Sequence, residues 1–286
     1  MSAEGVTVRV LTISQEHHET LYNPHNLDLF EFVGKNAAAR RARGSYLLFT
    51  NPDNCWSDQL GQLLGRRRLK PNVFYTAIRG QVRHDVRANK GSSADSMHHY
   101  VTRHHFAHYQ DSPWEVTSQM PRVACIVGEP PLADQPPTFF AANTSFADIQ
   151  KWVHRNASGD FFLAPRRMVL QARGYPEVPQ NLHVDGMMPF MAMAHGYGHL
   201  FMGPGCINLH QPHARSGNFR HSVPIWTLDE INVHFLQLGH LANHRPSEAR
   251  EGVEGEGKRE WYQWNDKNWG LGSAQLRDEV LTSECG

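Results

Sequence analysis

The six residues Ser45-Tyr46-Leu47-Leu48-Phe49-Thr50 are broken at once by Asn51-Pro52-Asp53. An apolar run of that length, closed by turn residues, reads as a short buried strand. A helical pattern from Phe32 to Ala42 precedes it and stops at Gly44. Ser57 or Asp58 can cap a following helix that carries Leu60, Leu63 and Leu64. Val73 to Ile78 reads as another strand. Upstream, Val6 to Ile13 is β-branched and apolar and reads as a buried strand, and the polar stretch Gln15 to Asp28 reads as a loop. Strands alternating with helices predict an α/β fold with a parallel or mixed sheet.

The same pattern resumes later in the chain. Pro165 to Arg173 reads as a helix, with Pro in its first turn and Gly174 closing it. Met-rich Asp185 to His195 ends at Gly196. Ser145 is expected to cap a helix with Phe146, Ile149, Trp152 and Val153 on one face, and Thr227-Leu228-Asp229-Glu230 to open another as a capping box. Between these halves, residues 84 to 140 are rich in His, Ser, Pro and Gly with weak periodicity, which predicts an irregular excursion of loops. Residues 245 to 260 are polar and charged and read as a surface loop. The expected organisation is one domain over 1–286, with halves at 6–83 and 145–286 around a His-rich insertion at 84–144.

Composition narrows the function. With 40% hydrophobic residues, the 286-residue chain can build a sizeable core. Its 28 basic and 28 acidic residues cancel, which argues against a general nucleic-acid binder. No segment reaches the roughly 18 apolar residues of a membrane span. No basic region followed by a long apolar one opens the chain, so a cytoplasmic location is expected. The sequons at Asn143-Thr144-Ser145 and Asn156-Ala157-Ser158 mean little without a secretory route. The four cysteines, Cys55, Cys125, Cys206 and Cys285, form no CxxC pair and read as isolated reduced thiols.

Four segments carry possible chemistry. Lys35 to Gly44 puts basic side chains on a helix, and the strand after it ends at Asp53, where open α/β sheets bind ligands. An Asp there can hold Mg²⁺ or Mn²⁺ against a diphosphate, although a turn-forming Asp looks the same in sequence. The second segment runs from Gly159-Asp160 through Arg166-Arg167 to Arg173-Gly174-Tyr175-Pro176-Glu177. The third is Leu182-His183-Val184-Asp185-Gly186, and the fourth is Cys206-Ile207-Asn208-Leu209-His210.

Taken in order, these segments resemble GT-A type nucleotide-sugar glycosyltransferases of the broad family-2-like group. Asn51-Pro52-Asp53 stands at the family's DxD position. Gly159 to Glu177 is similar to its acceptor-side strand and helix, and Asn265-Asp266-Lys267-Asn268-Trp269-Gly270-Leu271 is similar to the tail of some members. The likeness covers roughly residues 6–80 and 155–275. The family's first nucleotide-binding strand–helix–strand unit would precede Val6, where this sequence has five residues.

The resemblance implies a Rossmann-like three-layer fold, with a mixed central sheet and helices on both faces. It implies a nucleotide-sugar donor, a glycan or other hydroxyl acceptor, and Mn²⁺ or Mg²⁺ held by Asp53 and His210. Asp185 would be the general base of an inverting transfer. Asn36, Arg40, Asn51, Arg79 and Asp160 would contact nucleotide, phosphate or sugar. Asn51 is a weaker metal ligand than the carboxylate usual there. A degenerate, non-catalytic binding protein on the same fold is the competing expectation.

Other features have plainer readings. His104 and His108 are spaced to share a helix face, but no HExxH pattern accompanies them. Met187, Met188, Met191 and Met193 are expected to fill core gaps. Trp261, Trp264 and Trp269 suit either core packing or sugar stacking. Arg66-Arg67-Arg68 reads as a solvated helix end.

Overall fold

The computed structural model describes residues 7–24, 26–81, 158–181, 184–202, 206–210 and 263–281, with the backbone alone of 107–108 and 122–123. In chain order the strands are β1 (Val8–Thr12), β2 (Tyr46–Thr50), β3 (Asn54–Trp56), β4 (Val73–Thr76), β5 (Ile78–Gln81), β6 (Ala107–His108), β7 (Arg122–Val123), β8 (Phe161–Pro165), β9 (Gly198–Met202), β10 (Ile207–His210) and β11 (Arg277–Leu281). The helices are α1 (Gln15–Glu19), α2 (Glu31–Arg41), α3 (Asp58–Gly65), α4 (Arg166–Ala172) and α5 (Met187–Ala194).

Five strands make a mixed sheet in the order β2-β8-β4-β9-β7. Strand β8 is antiparallel to β2 and β4, while β9 is parallel to both β4 and β7. Four strands therefore point one way and β8 alone opposes them, so the carboxyl ends of β2, β4 and β9 share an edge with the start of β8.

Every residue of β4, β8 and β9 is buried, as expected of strands covered on both faces. Alternation sorts their side chains. Phe74 and Phe162 face a cluster with Phe32, Ala39, Met168, Val169, Ala172 and the methionines of α5. Val73, Tyr75, Phe161, Leu163, Leu200 and Met202 face the other way, against Leu60 of α3. Burying one such phenylalanine contributes about 2–3 kcal/mol. The fold is mixed α/β, with helices on both faces of the sheet.

Beyond Ala77 the chain leaves this sheet for a second one, ordered β3-β10-β5-β6. The run Val73 to Ile78, expected as a single strand, is thus two strands in two sheets. Strand β10 is antiparallel to β3 and parallel to β5.

Helix starts and stops follow local chemistry. Ser57 accepts from the Leu60 amide and caps α3. Helix α4 ends on Arg173 (φ 57°) and Gly174 (φ 72°), both left-handed, with the Gly174 amide bonded to the Val169 carbonyl.

Three expectations are corrected. Strand β1 is not buried: it pairs only with β11 as a two-stranded ribbon, and Val8 and Val10 are 48% and 39% exposed. Within the expected loop Gln15 to Asp28, Ser14 accepts from the His17 amide and starts the short helix α1. Cys206, expected reduced, is disulfide-bonded, and Cys55 is not part of a disulfide.

The expected helices after Ser145 and Thr227, the loop 245–260, Trp261 and His104 all lie outside the described residues. His108 belongs to strand β6. The methionines of α5 and Trp269 are core residues, and Trp264 packs against the same cluster. Arg66, Arg67 and Arg68 are exposed.

Candidate functional site

The edge of the five-stranded sheet gathers polar side chains. After β2 the chain turns through Asn51 and Asp53 into β3. Gly159 and Asp160 lead into β8, the antiparallel neighbour of β2, so these two loops meet. Asn51 Nδ2 donates to Asp160 Oδ1 at 2.7 Å, and Asn54 Nδ2 donates to the Asp160 carbonyl at 3.1 Å. Arg79, on β5, reaches the other carboxylate oxygen of Asp160 at 3.1 Å. Asp160, 5% exposed, is thereby held by an amide and a guanidinium.

Lys35 of α2 ties the two loops together. Its Nζ donates to Glu31 Oε1 at 2.6 Å, Asn51 Oδ1 at 2.6 Å and the Gly159 carbonyl at 2.7 Å. An ammonium has three protons, and all three have an acceptor here.

Beside this cluster, His210 Nε2 lies 3.0 Å from Asp53 Oδ2. The pairing of β10 with β3, which sets His210 opposite Asn54, brings the two together. Both are only partly covered, with side-chain exposures of 16% and 26%. One carboxylate oxygen and one imidazole nitrogen side by side suit a divalent cation such as Mn²⁺. Among the described residues no group of three or more His, Cys, Asp or Glu side chains surrounds one point. Two protein ligands, with phosphate oxygens and water completing the shell, is how such ions are held on diphosphates.

Asp185 stands just before α5. Its Oδ2 accepts from the Gly159 amide at 3.1 Å, and a Cβ at Gly159 would come within 3.1 Å of its own Cβ. Burial pushes its carboxyl above the ordinary carboxylate value, opposed by the Gly159 amide and raised further by Asp160 and Glu31. A partly buried carboxyl of raised basicity is suited to accept a proton.

Asp53, Asn51, Arg79, Asp160, Asp185 and His210 are thus linked through Gly159, Asp160 and the β3–β10 pairing. Asn36 and Arg40 are placed elsewhere. Asn36 is 0% exposed; its amide donates to the Tyr175 carbonyl and Glu177 Oε1 and accepts from the Tyr175 amide. Arg40 donates to the carbonyls of Lys267 and Trp269. Asn36 thus fastens α2 to the segment Tyr175–Glu177, and Arg40 fastens it to Lys267 and Trp269.

Lys35, Glu31 and Asn54 join the site although the resemblance implies no role for them. Glu31 and Lys35 are spaced i,i+4 on a helix, the spacing of a side-chain ion pair, which was the available signal. Among the described residues no helix is long and apolar enough to cross a membrane. No family model and no curated protein matches the chain.

Proposed function

We propose that this chain is a metal-dependent glycosyltransferase of GT-A type, moving a sugar from a nucleotide-sugar donor to a hydroxyl of a glycan or similar acceptor. The observation that carries the reading is the Asp53–His210 pair at 3.0 Å beside the Asp160–Arg79 ion pair, on the carboxyl edge of a mixed α/β sheet. The sequence resemblance adds the order of the motifs.

A divalent cation held by Asp53 and His210 would neutralise charge gathering on the departing diphosphate. The protein's own groups do the rest. Arg79 contributes a fixed positive charge at the same edge. Lys35 and Asn51 hold the Asp160 loop in register. Asp185 takes the proton from the acceptor hydroxyl, which is otherwise a poor nucleophile. With a base rather than a covalent nucleophile at that position, the anomeric configuration inverts.

The test is calorimetry of the purified chain with Mn²⁺ plus UDP and, separately, GDP, with Asp53→Ala as control. Metal-dependent binding that the control abolishes is the expected outcome. Equal binding by Asp53→Ala removes the proposed cation site. Absence of binding to either nucleotide turns the reading towards a non-catalytic relative on the same fold. Where turnover follows, proton NMR of the first-formed product is expected to show inversion.

A further inference from the structure

The second sheet carries an unexplained polar group. Asn208 lies mid-strand in β10, opposite Trp56 of β3 and Arg79 of β5. It is 1% exposed, and among the described residues neither its Oδ1 nor its Nδ2 has a hydrogen-bond partner. A carboxamide can make four hydrogen bonds, two as donor and two as acceptor, and a sheet interior that needed only bulk would be more stable with leucine. Strand alternation separates it from Ile207 and Leu209, which pack with Cys55. It puts Asn208 on the same face as His210, Arg79 and Asn54. Asn54, opposite His210, also has a buried Oδ1 with no partner among the described residues.

Orphaned buried amide atoms therefore lie on the face that holds the Asp53–His210 pair and the guanidinium bound to Asp160. Two of the neighbours on that face remain partly exposed: 24% for the side chain of Arg79 and 16% for that of His210. The chemistry of the orphan is informative. A neutral carboxamide offers a donor and an acceptor side by side. That complements adjacent hydroxyls, each of which both donates and accepts, and it is a poor match for a phosphate, which only accepts. A site that leaves a buried polar group unpaired until its ligand arrives discriminates strongly against analogues lacking the matching hydroxyl.

We propose that Asn208 is a specificity-determining contact for a pair of neighbouring hydroxyls on the donor sugar, kept unsatisfied in the free protein. This rests on the glycosyltransferase reading, and the diphosphate and the sugar are tested separately for that reason.

The variant is Asn208→Leu, near in volume and without hydrogen-bonding groups. Its thermal midpoint without ligand is expected to equal or exceed the wild type, because no native partner is lost. Calorimetry then compares UDP and GDP with UDP-glucose, UDP-galactose and GDP-mannose, all with Mn²⁺. The expected result is nucleotide-sugar affinity weakened by about tenfold or more, as for loss of one to two buried hydrogen bonds, with diphosphate affinity unchanged within about twofold. A lower midpoint shows that the amide already has a structural partner and overturns the inference. So does equal loss for sugar and diphosphate, unchanged sugar binding, or a wild type that binds a diphosphate but none of the nucleotide sugars. A wild type that binds neither class removes the donor-site reading itself, a result distinct from all of these.

Discussion

Asn51 makes contacts that an aspartate in its place could not make. Its amide accepts from Lys35 and donates to Asp160 at once, which no carboxylate can do. In Asn51→Asp the donor to Asp160 is lost and two carboxylates face each other. The variant is expected to lose about 1–3 kcal/mol of stability in a denaturant titration at neutral pH, with the deficit shrinking in acid as one carboxyl protonates. An unchanged midpoint would show that the amide polarity is not used. Asp185 makes the opposite kind of prediction. Its folded-state pKa is raised, chiefly by burial, so between the ordinary carboxylate value and the raised one the folded protein binds more protons than the unfolded chain. Stability then falls as pH rises through that window. Asp185→Asn keeps an oxygen for the Gly159 amide and removes the charge. Its thermal midpoint is expected to exceed the wild type by a margin that grows as the pH rises above the ordinary carboxylate value. A margin independent of pH would mean that Asp185 titrates normally. At this scale Asp53, Asp160, Asp185 and His210 were legible as motifs. Their mutual contacts were not, because Gly159 and His210 meet their partners through strand pairings between residues far apart in the chain.

Helix α2 was readable from its own residues, but its function as an anchor was not. Seen alone, Asn36 and Arg40 look like polar groups awaiting a ligand. Their partners are Tyr175, Glu177, Lys267 and Trp269, more than a hundred residues away in every case. Asn265 completes the latch: it accepts from the Glu177 amide and donates to the carbonyls of Arg173 and Tyr175. Gly174 (φ 72°) and Gly270 (φ 62°) allow the approach, since a Cβ at Gly270 would fall 2.7 Å from the Asn36 carbonyl and one at Gly174 would overlap the Asn36 amide. Asn36→Ala orphans the Tyr175 amide and removes one of the two donors to Glu177 Oε1, leaving the Gly270 amide. The expected loss is about 2–4 kcal/mol by denaturant titration, since several buried partners lose one side chain. Nucleotide affinity of the remaining folded fraction should be unchanged. Weaker nucleotide binding with full stability would instead return Asn36 to the ligand site. Strand β1 carries the same lesson in reverse: its β-branched residues identify a strand, but alternation alone does not show that only β11 covers it.

Over the whole molecule, the alternating pattern predicts the mixed α/β class, and β4 was legible as a strand, but β9 was not, because Gly198 and His199 interrupt its apolar run. The cysteines are where spacing alone misleads. Four cysteines far apart in sequence carry no pairing signal, yet Cys206 is fully buried beside the β9 core and disulfide-bonded. A disulfide persists in oxidising compartments and is rare in the cytosol, so this bond and a cytoplasmic location pull against each other. The bond's presence can be read directly. Denatured without reductant, chain produced in an oxidising compartment should be alkylated at Cys55 and protected at Cys206, by peptide mass. Adding reductant should expose Cys206 and lower the thermal midpoint by about 4–16 °C, taking about 2–4 kcal/mol for a native disulfide and about 2–4 °C per kcal/mol for a chain of this size. Equal alkylation of both cysteines without reductant would restore the reduced-thiol reading. If protection is found only in chain from an oxidising compartment, and the chain from reducing cytosol melts lower, the fold is built for the former, and the sequons at Asn143 and Asn156 become sites to test for glycan occupancy.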